Sequence, residues 1–309
     1  MKPLISYTIY QAPMQGFTDH VFRRLHHKYF GTIAKYFIPY ITSENDGSIR
    51  RAKMKEILPE NNMGIHAVPQ ILPATKEEAT ELCRVAIDNG YSEINLNLGC
   101  PFPMAVNKGK GCGLLLQPGR IDGILDAICR LPGVKISVKT RTGQLNHDEL
   151  KSVIPVLNNY PLEEVIIHPR IGKQLYKGEA YTDIFPGYKD MLKCPAVYNG
   201  DITTHNFATM LAGPLKNEKT VMIGRGILCY PFLGHHMNNL PIDNAHQTQI
   251  KFLHELIAGY TAIIENEIHV LNRIQSQFEY YGDWFPAELK IRKKVKKARK
   301  LSEVLGLLH

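Results

Sequence analysis

Residues 134–168 read VKISVKTRTGQLNHDELKSVIPVLNNYPLEEVIIH, and this stretch decides the fold. A β-branched run (134–139) precedes a segment able to form a helix (147–158), and a second apolar run follows (164–168). Strand, helix and strand in so short a span make a parallel βαβ unit, because two parallel neighbours need a crossover between them. The same pattern extends in both directions. Further strand-like runs lie at 7–11, 34–41, 65–70, 93–97, 196–199 and 220–224, and helical segments are clear at 76–89 and 120–131. Eight alternations in this length predict a closed (β/α)8 barrel of the TIM type. An open doubly wound sheet would carry a glycine-rich dinucleotide loop after its first strand, and Ala12-Pro13-Met14-Gln15-Gly16 is not one.

Beyond Pro241 the pattern is helical only. Ile250, Leu253, Ile257, Tyr260, Ile264, Ile268, Leu271, Ile274 and Phe278 step by three or four, marking one face of a long helix or a helix pair. After a break at Gly282-Asp283 and Pro286, a second helix is predicted from 287 to about 305. Its inward stripe is Ile291, Val295, Ala298, Leu301 and Leu305, and its other faces carry eight lysines and arginines between Lys290 and Lys300. The expected division is a catalytic barrel over 1–240 and an all-helical domain over 241–309.

The chain has 309 residues, 44% of them hydrophobic, and a formal net charge of +8. Its isoelectric point near 9.0 fits a polyanionic partner, either nucleic acid or an anionic membrane surface. No secretory leader pattern and no membrane-length apolar run is present, so a cytoplasmic location is expected. The six cysteines are too widely spaced for a metal site or a disulfide framework, and free thiols are expected, with no metal. Cys83, Cys129, Cys194 and Cys229 read as packing or surface residues. Cys100 stands apart because Gly99 and Pro101 flank it just after the fourth strand.

Active sites of such barrels lie at the C-terminal ends of the strands. There the sequence places Pro13 and Met14, Gln70, Asn97 with Gly99 and Cys100, Lys139 and Arg141, His168 and Arg170, Asn199-Gly200-Asp201, and Gly224-Arg225-Gly226. The last two sets suit a phosphate, since glycine lets backbone N–H groups approach its oxygens and Arg225 adds charge. A cation at Lys139 and an amide at Gln70 deeper inside are what a flavin ring would require, although spacing alone does not name flavin.

The residues themselves resemble a known family. APMQGFTDHVFR from Ala12, NLGCP from Asn97, GCGLLLQP from Gly111, VKTRTG from Val138, HPRIGKQLYKG from His168, VYNGDI from Val197 and IGRGILCYP from Ile223 are similar, in order and interval, to the tRNA-dihydrouridine synthases. The likeness spans about residues 10–235. It implies reduction of carbons 5 and 6 of a tRNA uracil by flavin mononucleotide (FMN), recharged by NADPH, with Cys100 as the acid that protonates carbon 5. It also implies flavin contacts at Pro13, Met14, Gln15, Gln70, Lys139, His168, Asn199, Gly200, Asp201, Gly224 and Arg225, and substrate contacts at Asn97 and Arg170. Asn95, Cys112 and Cys229-Tyr230 depart from the family's usual residues.

The chemistry supports this role for Cys100. A thiol with its ordinary pKa of about 8.5 stays protonated at neutral pH and can donate to an enolate-like carbon. Residues 101–113, with three glycines, read as a mobile loop able to close over a base. A base reduced from both faces must leave its stack. Phosphate contacts from the basic helix, including Lys293, Lys294, Lys296 and Lys297, would hold the folded RNA. No stable protein partner is implied. Two rival readings remain: a flavin barrel acting on a free pyrimidine, such as a dihydroorotate or dihydropyrimidine dehydrogenase, and a tRNA-binding protein with a relic barrel.

Overall fold

The computed structural model describes residues 7–44 and 47–308. Residues 1–6, 45–46 and 309 of the two expected domains lie outside that description. Eight parallel strands close on themselves in sequence order: β1 (Thr8–Gln11), β2 (Ile33–Ile41), β3 (Ala67–Ile71), β4 (Glu93–Leu98), β5 (Lys135–Gly143), β6 (Val165–Ile171), β7 (Ala196–Asn199) and β8 (Thr220–Ile223). Crossover helices include α1 (His20–Phe30), α2 (Arg51–Ile57), α3 (Lys76–Asp88), α4 (Pro103–Val106), α5 (Pro118–Cys129), α6 (Glu149–Leu157), α7 (Phe185–Met191) and α8 (Phe207–Ala212). Short helices α9 (Arg225–Cys229) and α10 (Leu233–Met237) follow β8. The barrel is therefore as expected, except that β5 and β6 run longer than their apolar cores. Lys139, Arg141, His168 and Arg170 sit within those strands and not beyond them.

The two-residue period of a strand sorts every side chain in or out. Ile94, Leu96 and Leu98 of β4, and Ile136 and Val138 of β5, pack outward under the helices. Inside, Tyr10, Phe37, Val68, Ile166, Val197 and Met222 form a separate buried layer across the barrel. One step below it, Lys35 reaches Glu93 (2.7 Å) and Glu164 (3.3 Å), and the Tyr10 hydroxyl donates to Glu164 (3.1 Å), sealing the floor. One step above lie Gln70, Asn97, Lys139, His168 and Asn199. The apolar layer thus separates an ionic plug from a polar mouth.

The tail is a helix pair, α11 (Ala245–Ile263) and α12 (Glu267–Tyr281), parted where the Asn266 side chain caps Ile268 N–H (2.9 Å). The single helix predicted from 287 to 305 is instead broken into a 3-10 turn (Ala287–Leu289), α13 (Ile291–Lys297) and α14 (Leu301–Leu305). The break has a cause in α12. Gln275 donates to the carbonyls of Val295 (3.1 Å) and Ala298 (3.0 Å), and Glu267 accepts Leu301 N–H (2.9 Å), so polar groups freed by the bend are paired. Register changes with it: Val304 and Leu308 are buried where Leu305 was expected.

The tail shares its core with the barrel. Phe252 and Trp284 pack against Phe30 of α1, and Phe30 against Phe232, in one continuous apolar cluster. Asp19 ties the same junction. Its carboxylate caps α1 at Phe22 N–H (2.9 Å), accepts the Tyr260 hydroxyl of α11 (3.2 Å) and pairs with Arg273 of α12. Asp19→Ala should lose the cap and leave a partly buried guanidinium unpaired, costing about 3 kcal/mol. Asp19→Asn, which keeps an acceptor, should cost less. Urea unfolding followed by Trp284, the chain's single tryptophan, measures both.

Candidate active site

At the mouth the amide side chains form a one-way chain. Asn97 Oδ1 accepts two backbone N–H groups, from Gly99 (2.9 Å) and Cys100 (2.8 Å), so its Nδ2 must face the other way. It donates to Gln70 Oε1 (2.7 Å); Gln70 Nε2 donates to Asn95 Oδ1 (2.7 Å), and Asn95 Nδ2 to Ser137 Oγ (2.8 Å). Backbone N–H groups can only donate, so they fix the orientation of every amide behind them. Asn97, expected at the substrate, thus also holds the turn that carries Cys100. Asn95, noted as a departure from the family, is an integral link.

Cys100 is 6% exposed. Burial pushes its thiol pKa up, against the lowering effects of a Phe102 backbone hydrogen bond, the Tyr40 hydroxyl, Arg141 and Lys139. The group is therefore a neutral acid at pH 7. Gly111, at φ +58°, packs on it: a Cβ there would lie 2.5 Å from the Cys100 carbonyl oxygen. The same carbonyl accepts Cys112 N–H (3.1 Å). Residues 101–113, read as a mobile loop, are here folded into α4 and a turn, pinned by Lys110 to Glu78 (2.5 Å) and by these contacts.

The cavity over this turn has a volume of about 320 Å³ and is lined by Met14, Gln15, Gln70, Cys100, Lys139 and Arg141 among others. A smaller lobe of about 80 Å³ adjoins it, bounded by Asn199, Gly200, Asp201, Gly224 and Arg225. Pro13, Met14, Lys139, His168, Tyr176 and Arg225 line both. A side chain at Gly224 would press on the lobe's Met14 (Sδ at 3.2 Å), and one at Gly200 would collide with the buried Tyr198 hydroxyl (2.1 Å), which is not part of the lobe's lining. Asn199 Nδ2 is held by the Met222 carbonyl (2.9 Å).

Cations dominate the lining. Burial and the neighbouring Arg141 charge lower the Lys139 pKa to about 7, with Cys100 opposing. Among the described residues it has no carboxylate within ion-pair distance. Arg141 is spent on the carbonyls of Gly99 (3.1 Å) and Ile171 (2.8 Å). Burial, aided by four nearby cations, drives His168 well below the ordinary imidazole range. Its Nε2 accepts from Arg170 (2.9 Å), leaving the Nδ1–H tautomer as a neutral donor. Asp201 is raised by burial but lowered more by Arg170 and Arg225, which grip it from two sides.

Arg170, expected near the substrate base, is 1% exposed and bonded to Asp201, His168 and the Gly178 carbonyl, and it does not line either lobe. Its work is to hold Asp201 and the His168 ring. Lys293, Lys294, Lys296 and Lys297 lie on the exposed faces of α13, away from the cavity. Several wall residues escaped the sequence reading: Tyr40, Phe102, Tyr176 and Tyr280. Tyr280 comes from α12 and meets Phe17 edge to face at 5.0 Å. Tyr176 lies between Arg141 and Arg225 at 5.3 and 5.5 Å. The HPRIGKQLYKG stretch offered a signal for Tyr176 and the 101–113 loop one for Phe102.

The fold and site define a barrel whose mouth gathers positive charge beside a buried thiol. The family model for dihydrouridine synthases matches residues 10–307. Among curated relatives, tRNA-dihydrouridine synthase B of Pasteurella multocida (strain Pm70) is 28% identical over 89% of this chain and 78% of its own. A probable tRNA-dihydrouridine synthase of Staphylococcus aureus (strain COL) is 26% identical over 96% and 90%. Among solved structures, histamine dehydrogenase from Rhizobium sp. 4-9 has the same fold, with a TM-score of 0.53 and 12% identity over 80% of this chain. The present chain spans about half, 48%, of that one. The chain belongs to the dihydrouridine synthase family, and with it to the flavin-dependent oxidoreductases.

Lys139 supplies a test of the lining. Its native pKa of about 7 lies below the ordinary lysine value of 10.5, so between these the unfolded chain binds the extra proton and stability rises with pH. In ligand-free protein Lys139→Met should therefore stabilise most below pH 7, with the gain shrinking toward pH 10. Urea midpoints across that range would show it.

Proposed function

We propose that the protein reduces the carbon 5–carbon 6 bond of a uridine in the tRNA D-loop to 5,6-dihydrouridine, using FMN and NADPH, with Cys100 as proton donor. The carrying observation is a buried thiol on a hydrogen-bonded turn, opening into a cavity whose lysine has no carboxylate within ion-pair distance among the described residues. The residues fit FMN. Gly200, Gly224 and Arg225 would hold its phosphate, and Gln70, which keeps one N–H and one lone pair spare, would meet the ring with Lys139. Bound there, the flavin supplies the hydride for carbon 6 of the uracil.

The chain's own groups do the rest. Cys100 holds a proton on Sγ until carbon 5 gains negative charge, and its raised pKa keeps that proton through neutral pH. Asn97 keeps the Cys100 turn from relaxing as the proton leaves. His168, neutral, donates from Nδ1 without adding another charge. Tyr176, Tyr280 and Phe102 shield the cavity from water. Outside it, the exposed lysines of α13 suit phosphate contacts with a folded RNA. No helix among the described residues is long and apolar enough to cross a membrane, and a cytoplasmic location accords with a tRNA substrate.

Cys100→Ala should retain flavin and tRNA binding while dihydrouridine formation falls by about 100-fold or more; a parental rate would place the acid elsewhere. In the parent the rate should hold through neutral pH and decline only above the usual thiol range. Neutralising Lys293, Lys294, Lys296 and Lys297 together should weaken tRNA binding and reduce the log–log salt slope by roughly 3. Equal affinity at every salt concentration would remove α13 from the interface.

A further inference from the structure

A second cavity, of about 610 Å³, lies beside the site and shares Gln15, Tyr40 and Phe102 with it. Its far wall is α4. There Met104 is 83% exposed and Phe102 47%, an apolar pair facing solvent on a segment that is otherwise pinned. Its cations are of two kinds. Arg50 and Lys110 are paired with Glu44 and Glu78. Lys53 and Lys108 have no carboxylate within ion-pair distance among the described residues. Lys53 stands on the sill between the cavities, over the Tyr40 ring at 4.8 Å, its ammonium bonded to the Tyr40 carbonyl (3.0 Å) and to Gln15 Oε1.

Exposed apolar side chains next to cations that lack an ion-paired carboxylate among the described residues, continuous with a pocket for one base, match a nucleotide: a flat ring to cover the apolar pair and a phosphate for the lysines. We propose that this groove receives the nucleotide adjacent to the target uridine, with its base against Phe102 and Met104 and its phosphate at Lys53 and Lys108. The inference rests on tRNA being the substrate. A uridine drawn out of its stack brings its neighbour's phosphate to the mouth of the pocket, and that neighbour has lost a stacking partner. Restoring a surface to it offsets part of the extrusion cost and makes target choice depend on the flanking base.

The test is a cycle between protein and RNA. Parent and Met104→Ser would be assayed on tRNA transcripts carrying an abasic residue immediately 5′ or 3′ of the modified uridine, reading both kcat/KM and tRNA affinity. On one flank the abasic residue should cost the parent about tenfold, Met104→Ser should cost a similar factor on intact tRNA, and the two together should cost no more than either. Losses that multiply on both flanks overturn the assignment, as does a Met104→Ser effect confined to KM for NADPH, which would give the groove to the dinucleotide. Lys108→Ala should lower the salt slope of tRNA binding by about 1; an unchanged slope counts against the phosphate contact. Failure of the parent to form dihydrouridine would refute the proposed activity alone, because the affinity cycle still decides the groove.

Discussion

A closed parallel barrel admits no water to its axis, so each polar group that the two-residue period turns inward must be paired by another strand. The protein meets this constraint in layers. Lys35, Glu93, Glu164 and Tyr10 pair with one another at the floor, a band of apolar side chains insulates them, and the amides of Asn95, Gln70 and Asn97 pair in series above. The series ends on the backbone N–H groups of Gly99 and Cys100. The hydrogen-bond requirement of the interior thereby becomes the positioning of a thiol, because no amide in the chain can flip without leaving a donor facing a donor.

The mouth meets the opposite problem, a surplus of positive charge. Arg170 and Arg225 are balanced by a single carboxylate, Asp201, while Arg141 is dispersed over carbonyls and the Tyr176 ring. Among the described residues no carboxylate is left within ion-pair distance of Lys139. An unpaired ammonium in a part-buried cavity is costly, and a ligand able to neutralise it binds against that penalty. His168 stays uncharged for the same reason. Stability has been given up where the ligand is to be held, and the tail returns some of it through the aromatic cluster and the Asp19 junction, while placing Tyr280 over the cavity.

Much of this was legible in advance. β-branched runs bounded by turn residues announce strands, since a strand's two faces both need packing, and Cys100, Asn97 and every residue expected to contact flavin, from Pro13 to Arg225, line one mouth. The failures share a cause. The helix of 287–305 was read from its own apolar stripe, but partners on α12 made a bend affordable. The segment 101–113 was read as a loop from its glycines, and only the structure shows α4 within it and Gly111 letting the backbone close on Cys100. Arg170 was placed near the substrate by resemblance, and only the structure shows its guanidinium held by Asp201.

By itself the sequence determined the periodicity: which residues alternate, hence how many strands close the barrel and which side chains face its axis. Those are local properties, carried by spacing along one chain. Tertiary structure alone decided how inward groups pair across strands, which arginine takes Asp201 and which lysine goes without, and that an aromatic residue nearly two hundred positions from Cys100 completes its cavity. Such choices depend on distances between strands and on burial, and neither is written in the neighbours of any one residue.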